Sequence, residues 1–391
     1  MSADVKNSSN PVQKTSTPVY REAMDKGLEG VIACSTAISS IIGDTLQYRG
    51  YTIDDLYQKG SFEEVVFLLW KGKLPSESDF QKFKTELLKA QILNESEKAW
   101  VTQVAQIFPK SAHPMDFLRT AVSGLAFFDS DVPDIGLEST ERKAVRLVAK
   151  MGSLVANFDR LRNGKSFVQA DPSQTIAFNF LKLLHDRVPS PEDVSVFDKC
   201  LILHADHEIN CSTFSARVTT SSLSDIHSAI VSAIGALRGP LHGGANEQVI
   251  RMLQAIGTLD QAVPFIEEAL LGKKKIMGIG HRVYKNGDPR ARLLRGISEK
   301  LTQKIGRPEL FEMSVLIDDT LQNRKGLMPN VDFYSATVYF ALGIPTDLFT
   351  PVFAVSRVSG WSAHVMEQYQ NNRIYRPRGE YIGPKDLKIQ R

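Results

Sequence analysis

The chain has 391 residues, 42% of them hydrophobic and 23% charged, with a formal net charge of +3. That length suits one large domain with a smaller one, and the composition is that of an ordinary globular protein. The mild charge, with no basic stripe interleaved with aromatics, argues against nucleic-acid binding, and no stretch reaches the roughly eighteen apolar residues of a membrane span.

Residues 1–27 are rich in Ser, Thr, Asn and Pro and carry neither an apolar core nor an arginine-rich amphipathic pattern. They read as a disordered or extended tail rather than a targeting segment, so a cytoplasmic location is expected. A short hairpin is predicted near Ile38–Tyr51, turning at Gly43 and Asp44. Beyond it, apolar residues recur at three- and four-residue steps, predicting helices over 62–70 and 78–92, separated by Pro75. His113-Pro114 opens another, in which Ala121, Ser123, Gly124 and Ala126 would allow close helix approach. Helices follow over 139–163, 174–186, 192–209, 224–238, 245–256, 260–271, 289–305, 309–325, 332–342 and 351–371. Asp288-Pro289 and Thr350-Pro351 each read as a cap followed by proline at the first helical position. The fold class is therefore mainly α, with minor β near the N-terminus. Cys34, Cys200 and Cys211 are irregularly spaced, fit a reducing compartment and give no zinc spacing.

Three polar residues stand at loop ends beside glycine or proline: His242 in PLHGGAN, His281 in GIGHRVYKNGDPR and Asp332 in PNVDFYSA. Two neutral imidazoles and a carboxylate suit enol chemistry, in which one group removes a proton beside a carbonyl and another steadies the oxygen that gains charge. Arg290, Arg357 and Arg376 add guanidinium forks, which favour a small substrate with several carboxylates. Each feature has a plainer reading. Asp332 suits a helix N-cap, Arg357 and Arg376 suit surface ion pairs, and Lys273-Lys274-Lys275 suits a solvated helix end as well as a polyphosphate contact. His204 and His207, three residues apart, could share a helix face as metal ligands, yet no third ligand is evident, and a core histidine bonded to backbone is the competing reading.

Taken together, HADHEINCSTFSARV, GALRGPLHGGANEQV, IMGIGHRVYKNGDPRA, PNVDFYSA, DLFTPVFAVSRVSGWSAH and RIYRPR resemble the citrate synthase family, in particular its shorter bacterial-type chains. The resemblance implies a two-domain, almost all-α homodimer, with a large domain from 28–243 plus 344–391 and a small one from 244–343. It implies condensation of acetyl-CoA with oxaloacetate to citrate and CoA, with 2-methylcitrate synthesis from propionyl-CoA as the close alternative and a non-catalytic helical scaffold as the remote one. Within it, His242, His281 and Asp332 are catalytic, while His207, Arg290, Arg357 and Arg376 bind oxaloacetate, Arg376 from the partner subunit. Lys275, Ile276, Met277, Gly278, Ile279 and Gly280 match the loop that cradles CoA, and Lys285 a phosphate-contacting base. Neither a cofactor nor a metal is expected, since the CoA thioester is a substrate, and neither membrane nor nucleic acid is an expected partner. Two departures stand out: the hairpin SSIIGDTLQYRG is shorter than the family's usual one, and Cys211 stands where alanine is common.

Overall fold

The computed structural model describes Gly27, Leu28 and residues 30–389. The expected tail over 1–27 lies outside these but for its last residue. The described residues up to Ser35 belong to one unit, in which the Val31 N–H donates to the Leu28 carbonyl across a turn, and those from Thr36 onward form a second.

The second unit opens with a three-stranded antiparallel sheet and is otherwise built from helices among the described residues. Strands Ser39–Ile42 and Thr45–Tyr48 pair with Ser39 opposite Tyr48 and Ile42 opposite Thr45, so Gly43 and Asp44 form the turn, as expected. Gly43 takes a φ of +62°, a conformation that costs glycine little and other residues more.

Helix starts follow local chemistry. The Phe62–Lys71 helix begins with a reciprocal capping box between Ser61 and Glu64. Ser190 caps Pro191–His204 by accepting from the Asp193 N–H, with proline at the first position. Asp288 caps Pro289–Lys304 in the same manner. Three helices went unread in the sequence: Ile53–Lys59, Glu95–Ile107 and Cys211–Ser221. The second opens on an Asn94/Glu97 capping box that was there to be found. The third is rich in Ser and Thr, weak helix formers that tertiary packing overrides.

Two further expectations need correction. The helix predicted over 192–209 stops at His204, so His204 and His207 do not share a helix face. Asp206 and Glu208 instead bond to the hairpin, and these tertiary partners outweigh helix continuation. Thr350 is also not a cap, because the helix runs Phe349–Gln370 and already includes it. Its hydroxyl donates to the Gly243 carbonyl at 3.1 Å, tying this helix to the loop of His242.

The long helices Leu137–Arg162 and Phe349–Gln370 pack against each other through almost wholly buried faces and form the centre of the core. At Gly360 a side-chain Cβ would come within 2.3 Å of the Ala205 carbonyl oxygen. Only glycine lets this helix lie that close to the segment carrying His207. At Gly124 the close approach expected from small residues is filled by the Trp100 ring, which would lie 2.1 Å from a Cβ there. Among the described residues no helix is long and apolar enough to cross a membrane.

Candidate active site

The segment from Gly278 to Arg290 is stitched to the start of the Val331–Ala341 helix. The Gly280 N–H donates to the Met328 carbonyl at 2.7 Å, and the Asn330 N–H to the Gly278 carbonyl at 2.9 Å. Asn330 Nδ2 adds a bond to the Gly280 carbonyl at 3.0 Å. Gly278 has a φ of +76°, and a Cβ there would approach Val249 to 2.6 Å and Phe333 to 3.0 Å. Backbone strain and sterics both exclude a side chain. This stitching brings the His281 loop beside the helix that carries Asp332.

His281 Nδ1 accepts from the Val283 N–H at 3.0 Å and the Tyr284 N–H at 3.2 Å. An acceptor at Nδ1 leaves the neutral ring's proton on Nε2. Burial pushes this imidazole down to about 4, with the Arg290 charge adding to the effect, so it is neutral near pH 7. His207 packs against it with ring centroids 5.2 Å apart, and its Nε2 meets the Tyr284 hydroxyl at 3.1 Å. Burial, with Arg290 and His281 beside it, holds His207 well below the usual histidine range.

Arg290 is buried and paired in a two-point fork with Asp288, Nε to Oδ1 at 2.9 Å and Nη2 to Oδ2 at 2.7 Å. Asp288 also accepts from the Arg290 N–H at 3.0 Å and from the Val331 N–H at 3.0 Å. Burial alone would raise this carboxyl, but Arg290 overrides it and holds Asp288 below the usual range. One carboxylate thus ties Arg290 to the first turn of the Asp332 helix.

Asp332 lies in that first turn but is not the cap; Asn330 is, accepting from the Asp332 N–H at 3.1 Å. Asp332 Oδ1 is sealed from solvent and meets no hydrogen-bond partner. Burial raises its carboxyl to about 7, while Arg290 and Arg357 pull the other way. Arg357 is buried, yet it makes no ion pair among the described residues. Its Nε donates to the His204 carbonyl at 2.7 Å, and its guanidinium lies 4.6 Å from the Phe353 ring centre. Burial lowers it to about 10, with the Asp206 charge pulling the other way, so it stays charged without a direct ion pair.

His242 Nε2 accepts from the Ser212 N–H at 3.2 Å and lies 2.8 Å from the Ser212 hydroxyl. Its neutral ring therefore carries the proton on Nδ1, free to donate elsewhere. Burial, with Arg357 second, pushes it down to about 4. Arg357 thus acts on both His242 and Asp332, and Arg290 on both His281 and Asp332, which joins the three groups in one electrostatic site.

His204 belongs outside this group: its Nδ1–H donates to the Cys200 carbonyl at 2.7 Å, the backbone-bonded arrangement weighed for it above. Among the described residues no three His, Cys, Asp or Glu side chains gather as a metal site. Arg376 is exposed, 3.5 Å from the Pro377 carbonyl, and is not gathered with the others. Lys275 and Lys285 are exposed, Ile276 and Gly278 are buried, and Met277, Ile279 and Gly280 are half-buried. Cys211 is exposed at the first position of its helix, next to Ser212. Sequence reasoning missed Tyr284, Ser212 and the site role of Asp288. Tyr284 shares the His281 loop and could have been suspected, whereas nothing local marks Ser212.

In a mainly helical fold the chain thus presents two neutral imidazoles and a carboxylate, linked electrostatically through two buried guanidiniums. The family model described as "Citrate synthase, C-terminal domain" matches residues 27–378. Citrate synthase 2 of Bacillus subtilis is 51% identical over 368 residues, 93% of this chain and 97% of its own length. A 2-methylcitrate synthase of Corynebacterium glutamicum is 40% identical over 93% of this chain and 96% of its own. Among solved structures, citrate synthase from Pyrobaculum aerophilum aligns with a TM-score of 0.87 at 38% identity, covering 100% of this chain and 98% of its own. The Thermoplasma acidophilum enzyme, in a ternary complex with carboxymethyl coenzyme A and oxaloacetate, also reaches 0.87, at 32% identity over 93% and 97%. The chain belongs to the citrate synthase family, and it is an enzyme of the acyl-transferring type.

Proposed function

We propose that the chain condenses acetyl-CoA with oxaloacetate and hydrolyses the resulting thioester, yielding citrate and CoA. The observation that carries this reading is the Asp332 carboxyl, sealed at Oδ1, without a donor, and raised to about 7. A carboxylate so poorly solvated is a stronger base than an exposed one, as removal of a thioester methyl proton requires. That step also needs the developing enolate oxygen to be stabilised as it forms, and the His242 Nδ1–H, with Ser212 holding the opposite nitrogen, is available to donate. The enol carbon then attacks the oxaloacetate ketone, whose oxygen becomes an alkoxide and takes a proton from the His281 Nε2–H. Water finally cleaves the citryl thioester, releasing CoA.

Arg357 is a buried cation with no direct ion pair among the described residues, so an oxaloacetate carboxylate suits it as partner. Arg290 has Asp288 already and offers its remaining N–H groups, with His207 beside the ketone. Backbone of Lys275, Ile276, Met277, Gly278, Ile279 and Gly280 would cradle CoA, with Lys285 near its phosphates. We assign 28–243 plus 344–391 to a large lobe and 244–343 to a small one, closing over oxaloacetate before the thioester binds. Arg376, exposed in its own chain, would reach the site of a partner in a homodimer. The cytoplasm is the expected location, and no cofactor enters the scheme.

The similarity to 2-methylcitrate synthases keeps propionyl-CoA as the competing acyl donor. One methylene in a pocket is worth only about 1–3 kcal/mol, so a few lining residues decide the preference. Thiol release with oxaloacetate and each donor tests the assignment. A kcat/KM higher for acetyl-CoA is expected; a higher value for propionyl-CoA overturns the donor, and no CoA release with either overturns the reaction.

A further inference from the structure

The N-terminal hairpin takes no part in the chemistry above, yet it bonds to both histidine-bearing segments of the oxaloacetate site. At its base, Ser39 Oγ donates to the Asp206 carboxylate and accepts from the Glu208 N–H at 2.9 Å. The Ile41 N–H donates to Glu208 Oε1 at 2.6 Å. The Tyr48 hydroxyl donates to the Asp206 carbonyl at 2.9 Å. These bonds grip the chain on both sides of His207. They also hold Glu208 at a φ of +49°, a conformation a non-glycine residue keeps only when its surroundings impose it.

At its tip, Asp44 grips the other segment. Its Oδ1 accepts from the Lys285 N–H at 3.1 Å and the Asn286 N–H at 3.3 Å, and its Oδ2 accepts from Asn286 Nδ2. These residues directly follow Tyr284, which contacts both His207 and His281. An ion pair between Asp54, just past the sheet, and Arg292 runs alongside. The four-residue pairing of the two strands makes the hairpin a stiff spacer between base and tip.

We propose that the hairpin is a strap that sets the separation of His207 and His281, with Asp44 as a positioning residue acting through the 281–287 loop. The proposal rests on the functional reading above. In its two-lobe form Asp44 stands on the large lobe and Lys285 and Asn286 on the small one, so its bonds are complete only when the lobes are shut. Strap engagement and oxaloacetate binding then favour each other, by the same factor in both directions. The two-residue turn fits the role, because it puts the carboxylate at the very tip.

Asp44→Ala removes three accepted hydrogen bonds from an exposed tip and leaves the core untouched. The KM for oxaloacetate is expected to rise roughly 5- to 30-fold while kcat falls less than about threefold. Asp44→Asn keeps an acceptor for the two amides, and its NH2 can meet the Asn286 side-chain oxygen, so it should stay within about threefold of the parent. Asn286→Ala combined with Asp44→Ala should be no worse than Asp44→Ala alone. Thermal melts, expected to be unchanged, separate positioning from loss of fold. An active parent enzyme with unaltered oxaloacetate KM in Asp44→Ala overturns the strap alone, as does an Asn variant as impaired as Ala, or full additivity with Asn286→Ala. Absence of CoA release from the parent overturns the functional reading and the strap with it.

Discussion

Asp288 and Asp332 stand at the starts of two helices, Pro289–Lys304 and Val331–Ala341, and the two first turns offer a carboxylate very different surroundings. Asp288 receives two guanidinium donors and two backbone N–H groups, and Arg290 keeps it ionised despite burial. Asp332 has an oxygen with no partner, and burial lifts its carboxyl to about 7. The residue type is the same and both carboxyls lose solvent, so the donors that Asp288 has and Asp332 Oδ1 lacks set the two apart. A carboxylate saturated with hydrogen bonds organises a site, and one left short of them is available to take a proton. The two are joined through the Val331 N–H, so the organising carboxylate helps aim the reactive one.

The largest expected effect is on the reactive side of this comparison. Asp332→Asn should lower CoA release by roughly 100- to 10,000-fold. The same variant should melt at a higher temperature at pH 8. The carboxyl is raised from 3.8 to about 7, so the fold is favoured while it is protonated and loses that contribution as pH climbs through about 7. Asparagine avoids the cost, on the order of 1–2 kcal/mol after allowing for partial solvent access. A variant both inactive and less stable at pH 8 would break the assignment.

On the organising side, Asp288→Ala leaves Arg290 buried without its counter-charge and should cost about 3–5 kcal/mol of stability, read from denaturant midpoints. A loss under about 1 kcal/mol would mean that the fork contributes little beyond a surface pair. Arg357→Lys should act differently from either, because the native guanidinium has no ion-pair partner to lose. Its expected signature is an oxaloacetate KM raised roughly 10- to 100-fold, since a point charge cannot replace a two-point fork, with a melting temperature close to the parent's.

The gentlest test is the pH profile of kcat/KM. Its acid limb should follow one group near 7, the Asp332 carboxyl, with activity rising as that group ionises. His242 and His281, both pushed down to about 4, stay neutral through that range and add no limb near 6.5. A second titration close to 6.5 would show that one of the imidazoles is better solvated than its surroundings suggest.

Much of this molecule was legible in the order of its residues. Helix starts at Ser61, Ser190 and Asp288 follow from side chains that reach backbone N–H groups a few positions away, and Gly43-Asp44 marks the hairpin turn through local backbone preference. The motifs around His242, His281, Asp332, Arg290 and Arg357 were visible too, and with them the family to which the chain belongs. What the sequence could not reveal depends on partners far along the chain. The helix at 191–204 ends because Asp206 and Glu208 meet Ser39, more than 160 residues earlier. The tautomer of His242 is decided by Ser212, and the pairing of Asp288 with Val331 by the stitch between two distant loops. Short-range sterics and capping act within a turn of helix, so they can be read locally. Burial and hydrogen-bond satisfaction exist only once the chain has folded, and they alone distinguish one aspartate from the other.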